Sequence, residues 1–212
     1  MTEICALVLA AGEGTRMRPL TLTTPKPLLL VGDIPLIDRA LNLVRGLDTA
    51  VNTHYLASQL ISHVGPRASI IYEETLLGSS GTVASLKRWI NGRAVLVVNS
   101  DAYLQGGDLE PILSGWDGET VRMLVVPADH RPAEFGSYLF AGASLIPWTV
   151  VHGLPEGRSH LVHTVWRPAE MAGKLELREF NGTYVDCGTP EDYETANLLS
   201  KLGDTDRTRS IR

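Results

Sequence analysis

Two glycines, an arginine and a lysine follow the first apolar run of this chain at a spacing that suits a polyphosphate. Residues 4–10 are Ile-Cys-Ala-Leu-Val-Leu-Ala, a short buried strand by pattern. They break into a loop carrying Gly12 and Gly14, then Arg16, then Lys26 between Pro25 and Pro27. Glycines let the backbone approach a ligand closely, and successive free N–H groups in such a turn form an anion-binding nest. The pattern predicts a nucleotide-phosphate loop at the end of a first strand. It is not a P-loop, since Gly-x-x-x-x-Gly-Lys-Ser/Thr is absent. It is not a dinucleotide fingerprint either: Met17 stands where a third glycine belongs, and Pro19 with residues 21–27 predicts extended chain where a helix should open. A second chemical group is Asp101, which follows the apolar run 95–98. Its carboxylate is expected at a strand's carboxyl end, where ligands of α/β sheets bind, although a lone Asp there serves equally as a turn or cap residue. His160 and His163 have helical spacing but no carboxylate or cysteine in pattern, which makes a poor metal site. His54 is expected to satisfy a local backbone hydrogen bond, and the four tryptophans to pack.

These groups need a scaffold, and the apolar periodicity supplies one. Strands are predicted at 5–10, 50–54, 69–73, 94–99 and 122–127, and helices at 35–47, 58–64, 82–90 and 191–199. Such alternation points to a mostly parallel sheet covered on both faces. Residues 131–180, with scattered Pro, Gly and Trp, predict a smaller sheet and loops beside the cleft. Residues 1–200 are read as one domain, and 201–212 as a polar, frayed tail. A chain of 212 residues that is 44% hydrophobic can bury one substantial core. A net charge of −5 argues against a nucleic-acid or acidic-membrane surface, both of which need clustered basic residues. The first residues carry no positive leader region, and the apolar run after them is too short to span a membrane. Two cysteines, Cys5 and Cys187, give no disulfide framework and suit a cytoplasmic protein with reduced thiols.

Residues 9–21, Leu-Ala-Ala-Gly-Glu-Gly-Thr-Arg-Met-Arg-Pro-Leu-Thr, with Pro-Lys-Pro at 25–27, resemble the signature of sugar-1-phosphate nucleotidylyltransferases at essentially every fixed position. The resemblance continues in family order across residues 4–199. Residues 35–41 match the first helix, Leu-Gly-Ser-Ser-Gly-Thr-Val at 77–83 a second glycine loop, and Val-Val-Asn-Ser-Asp at 97–101 a metal strand. Tyr-Val-Asp-Cys-Gly-Thr-Pro at 184–190 matches a late aspartate motif. Short single-domain members are the most similar, both the N-acetylmuramate-1-phosphate uridylyltransferases and the mannose-1-phosphate guanylyltransferases. The fold this implies is a Rossmann-like three-layer α/β sandwich with a mostly parallel mixed central sheet, of the nucleotidyltransferase type, plus a small sugar-side subdomain.

The resemblance implies attack by a sugar-1-phosphate oxygen on the α-phosphorus of an NTP, with release of pyrophosphate and no protein nucleophile. Catalysis of this kind is mostly positioning and charge neutralisation. It assigns Arg16 to the β- and γ-phosphates, with backbone donors from Ala11, Gly12, Gly14 and Thr15, and Lys26 to the α-phosphate and the incoming sugar phosphate. Asp101 and Asp186 would hold Mg²⁺, which takes oxygen ligands and keeps waters. Leu9 and Ala10 would line the base pocket, with Gly78, Ser79 and Gly81 against the base edge; an N-cap role for Ser79 or Ser80 competes with that. Asn99 and Gly142 would flank the sugar. The chain departs from longer relatives in lacking a second lysine in a Glu-Lys-Pro motif, so that the second cation is Lys174, Arg131 or Arg167, or is missing. The partners implied are an NTP and a sugar-1-phosphate, with the chain acting as a monomer or homodimer. Two other readings stay open: a cytidylyltransferase for a non-sugar phosphate or phosphonate, and a catalytically silent nucleotide-binding homologue.

Overall fold

The computed structural model describes residues 3–129 and 131–209. In chain order the elements are β1 (Ile4–Leu9), β2 (Leu30–Val31), β3 (Ile34–Pro35), α1 (Leu36–Leu43), β4 (Thr49–Thr53), α2 (Ala57–Val64) and β5 (Ser69–Tyr72). Next come α3 (Gly78–Ser85), α4 (Lys87–Ile90), β6 (Ala94–Asn99), β7 (Ala102–Gln105), α5 (Glu110–Leu113), β8 (Val121–Pro127) and β9 (Tyr138–Ile146). The chain ends with α6 (Trp148–His152), α7 (Arg167–Met171), β10 (Leu175–Glu179), β11 (Thr183–Asp186) and α8 (Pro190–Arg209). Among the described residues no helix is long and apolar enough to cross a membrane.

Seven strands form the main sheet in the order β10-β8-β9-β6-β1-β4-β5. β1 runs parallel to β4 and β6, β4 to β5, and β10 to β8, while β9 runs antiparallel to both β6 and β8. Six carboxyl-terminal strand ends therefore open onto one edge. Side chains alternate across a strand, so β1 feeds two cores. Ala6 and Val8 pack with Ile37, Ala40 and Leu60 of α1 and α2. Cys5 and Leu7 pack with Val83, Ile90 and Val151 of α3, α4 and α6. The result is the expected three-layer α/β sandwich with a mostly parallel mixed sheet.

Several local expectations are corrected. The helix predicted at 35–47 stops at Leu43, short of Gly46 with its φ of +92°. The helix predicted at 82–90 is two helices, with Leu86 between them. Its first turn includes the Gly78–Gly81 stretch that had been read as a loop. The last helix continues to Arg209, well past residue 199, and residues 210–212 lie outside the described residues. The region 131–180 does not make its own sheet, because β9 and β10 complete the main one. The small sheet is instead the antiparallel ribbon β7–β11.

An irregularity in β9 hides its alternation. Met123 and Val125 of β8 pair with Ser144 and Phe140, so two steps on β8 face four on β9. Gly142 lies in this bulge at φ +80°, and a Cβ there would stand 2.4 Å from the Cβ of Ala102. Only glycine lets β9 bend this close to β7, the strand that begins directly after Asp101.

Gly142→Val combines that contact with a φ unsuited to a branched side chain and is expected to cost about 2–4 kcal/mol. A urea midpoint equal to the parent's would contradict this account. The two cysteines are free and fully buried, and burial pushes the Cys5 thiol up to about 11 and the Cys187 thiol up to about 12. At pH 8 neither should react with a thiol reagent until denaturant is added; rapid labelling of the native protein would show that these cores are open.

Candidate active site

The loop after β1 is braced from inside. Asn52, at the end of β4, accepts a hydrogen bond from the Ala10 N–H at 2.7 Å. Gly14 has φ +61°, and a Cβ there would stand 2.9 Å from Thr21 Cγ2; the Thr21 hydroxyl donates to the Gly14 carbonyl at 2.7 Å. The following segment is not extended, as its prolines had suggested. It folds into three single 3-10 turns, Thr15–Met17, Leu20–Leu22 and Lys26–Leu28. These turns leave Arg16 exposed and bury Lys26.

Lys26 and the acidic groups meet at the edge of the sheet. The Lys26 ammonium donates to Asp101 Oδ2 at 2.5 Å. Ser100, just before Asp101, donates both its N–H and its hydroxyl to the Leu9 carbonyl, at 3.1 and 2.6 Å, which locks the ends of β1 and β6 together. Asp186 ends β11 opposite Ala102 of β7, and the next N–H, of Cys187, donates to the Asp101 carbonyl at 3.1 Å. The short β7–β11 ribbon thus carries a distant carboxylate to the side of Asp101. A Cβ on Gly188 would lie 3.0 Å from the Arg16 guanidinium and 3.1 Å from each Asp186 carboxylate oxygen, so both side chains lie close to Gly188. Burial chiefly, then the Asp101 charge, holds the Asp186 carboxyl above its usual range, while Lys26 and Arg16 pull it back. The same burial and acidic neighbours raise the Tyr184 phenol.

Among the described residues no three His, Cys, Asp or Glu side chains form a cation cage. The donor set of Asp101 and Asp186 is two hard carboxylates against two fixed cations. It suits an oxygen-seeking divalent ion shared with a ligand's phosphate oxygens and does not make a closed protein site.

A cavity of about 390 Å³ runs along this edge. Its lining includes Ala11, Gly12, Gly14, Thr15, Arg16 and Lys26 of the loop after β1, Asn99 and Asp101 at the end of β6, and Leu9, Ala10, Gly78 and Ser79. Gly81 is turned away, with no room for a Cβ beside the Gly157 carbonyl at 2.4 Å. Lys174 is not brought to the site. It is exposed at the amino-terminal end of β10, where its carbonyl accepts from Val121, at the opposite edge of the sheet. Of the alternative cations, Arg131 pairs with Asp192 at 2.5 Å. Arg167 pairs with Glu170 and lies 4.2 Å over the Phe135 ring.

Two features were missed by reading the sequence. The first is a buried polar network. Asn52 Nδ2 donates to Glu73 Oε1 at 2.8 Å, the Thr82 hydroxyl donates to the same oxygen at 2.5 Å, and Leu77 N–H donates to Oε2 at 3.1 Å. Its signal was polar residues ending two apolar runs, the place where α/β ligands bind. The second is a strap over α3. The Ser159 carbonyl accepts from the N–H groups of Ser80 and Gly81, at 3.1 and 3.3 Å, while Leu161 N–H donates to the Ser79 hydroxyl at 3.0 Å. Neither serine caps the helix by its side chain. His54 does hold a local backbone group, at 2.8 Å from the Glu73 carbonyl.

Known proteins share both sequence and architecture with this chain. N-acetylmuramate alpha-1-phosphate uridylyltransferase of Neisseria meningitidis serogroup B is 37% identical over 227 aligned positions, covering 92% of this chain and 97% of that protein. Mannose-1-phosphate guanylyltransferase of Mycobacterium tuberculosis is 26% identical over 99% of this chain and 68% of that protein; of other relatives the chain spans as little as 55%. The structure of UDP-glucose pyrophosphorylase from Acinetobacter baumannii superposes with a TM-score of 0.74 over 100% of this chain and 99% of that one, at 16% identity, which speaks to the fold alone. The family described as Nucleotidyl transferase matches residues 5–144, and with that span the chain belongs to it.

Proposed function

We propose that this protein is a sugar-1-phosphate nucleotidylyltransferase that transfers an NMP group from an NTP to a sugar-1-phosphate or a similar phosphate. The observation that carries the reading is that Arg16, Lys26 and Asp101 line one cavity, with Asp186 brought beside Asp101 by the β7–β11 ribbon. The names of the relatives from Neisseria and Mycobacterium support the same reaction class.

An oxygen of the acceptor phosphate attacks the α-phosphorus, the α–β P–O bond breaks, and pyrophosphate leaves with its electron pair. Arg16, with no hydrogen bond or ion pair to the protein among the described residues, holds the β- and γ-phosphates. The N–H groups of residues 11–15 add donors to them. Lys26 is held by Asp101 between the two reacting phosphates, where it offsets charge as the new bond forms. Asp101 and Asp186 would hold Mg²⁺, whose contribution is to align phosphate oxygens and offset their charge. Asn99 and the bulge at Gly142 stand on the acceptor side. For the second acceptor cation Arg131 and Arg167 remain, since Lys174 lies at the opposite edge of the sheet.

The test is pyrophosphate release from GTP, UTP, ATP and CTP with a panel of sugar-1-phosphates and Mg²⁺. Asp101→Asn should lower turnover by roughly a hundredfold or more; absence of release from every wild-type combination would sink the proposal. The two aspartates should also differ in stability. A carboxyl raised in the folded state binds its proton more tightly there than in the unfolded chain, so ionising it costs folding free energy at neutral pH and nothing in strong acid. Asp186→Asn should therefore raise the melting temperature at pH 7 without divalent ions. Asp101→Asn should lower it, since Lys26 is left buried without its countercharge. Shifts of the same sign in both variants would contradict the charge arrangement.

A further inference from the structure

The cavity is also lined by two groups of opposite charge, Glu73 and Arg158, that phosphate transfer does not use. Glu73 is 4% exposed, and its hydrogen-bond partners are all neutral donors. Its Oε1 has both lone pairs engaged, by Asn52 and Thr82, whereas Oε2 accepts only from Leu77 and keeps one acceptor site. A buried carboxylate without a cation beside it is completed by an N–H from whatever fills the cavity. Arg158 lines the same cavity and, among the described residues, makes no hydrogen bond or ion pair.

Arg158 is carried on a fixed segment. Ser159 is bonded through its carbonyl to Ser80 and Gly81 and through its N–H to the Leu77 carbonyl at 2.9 Å. The His160 ring lies 2.9 Å from where a Cβ on Gly78 would stand. The strap carbonyl also takes up the Ser80 and Gly81 N–H groups.

We propose that Arg158 is a base-selecting residue, acting opposite Glu73, and that the pair favours oxo bases, guanine or uracil. In these bases a ring N–H stands beside a carbonyl: Glu73 accepts from the N–H and the guanidinium donates to the carbonyl. In adenine and cytosine the corresponding ring nitrogen carries a lone pair, which would face the carboxylate. This rests on the nucleotidylyltransferase reading of the cavity.

The full chain with Mg²⁺ is titrated calorimetrically with GTP, UTP, ATP, CTP and inorganic triphosphate, as wild type and as Arg158→Ala. Arg158 is exposed, so the variant should melt as the parent does. GTP or UTP should bind about tenfold or more tightly than ATP and CTP, and which of the two leads identifies the base. Arg158→Ala should weaken the favoured nucleotide by about tenfold and leave inorganic triphosphate unchanged. If the wild type binds NTPs but prefers ATP or CTP, or if the variant binds all of them as the parent does, base selection by Arg158 is overturned and the enzymatic reading stands. If the wild type binds no NTP, both are overturned.

Discussion

Two carboxylates stand side by side at the edge of this sheet, and like charges in a partly buried setting repel unless the fold holds them. That repulsion is the constraint around which the site is organised. Asp101 is held by the buried Lys26, and Asp186 by a ribbon whose strands pair from Ala102 to Gln105 against Thr183 to Asp186. The Arg16 guanidinium closes the remaining side. What is left is an excess of oxygen donors with two cations around it, a balance that becomes favourable when a cation and a chain of phosphates share the space.

The architecture that permits this is the reversal of one strand. With β9 antiparallel between β6 and β8, the chain can leave the carboxyl end of β6 into β7 and return through β11 beside it. The bulge at Gly142 gives β9 the bend that β7 needs in order to lie against it. A straight β9 with a side chain at that position would push Ala102 outward, and with it both the Asp101 carbonyl and the N–H of Cys187 that bonds to it. The position of Asp101 and Asp186 therefore depends on a backbone irregularity in a neighbouring strand.

How much of this was legible in the residues follows from how local each feature is. The loop after β1 is written in consecutive residues, and Gly14 is demanded by its left-handed φ and by the closeness of Thr21. The apolar runs of β4, β5, β6 and β8 read correctly to within a residue or so of their ends. Lys174 misled because position along a chain does not tell which edge of a sheet a residue meets; that depends on β10 running parallel to β8. The turn that begins α3 was unreadable as helix because two of its donors, the Ser80 and Gly81 N–H groups, are satisfied from far away by the Ser159 carbonyl. The bulge in β9 removed the period of two that would have announced a strand.

The network of Asn52, Glu73 and Thr82 ties these parts into one unit. Asn52 takes the Ala10 N–H through its oxygen and gives its amide to Glu73, so a single side chain joins the loop after β1 to Glu73 at the cavity. Thr82 hands Glu73 a second donor from α3 while its own hydroxyl also reaches the Gly78 carbonyl at 3.0 Å. Buried polar groups are costly when half satisfied and rigid when fully satisfied. This network stops one acceptor short of completion, on the Glu73 oxygen at the cavity. A base that supplies the missing N–H would finish the network, and because Asn52 holds Ala10, finishing it steadies the loop that presents donors to the phosphates. Recognition of the base and positioning of the triphosphate are then one hydrogen-bonded event rather than two.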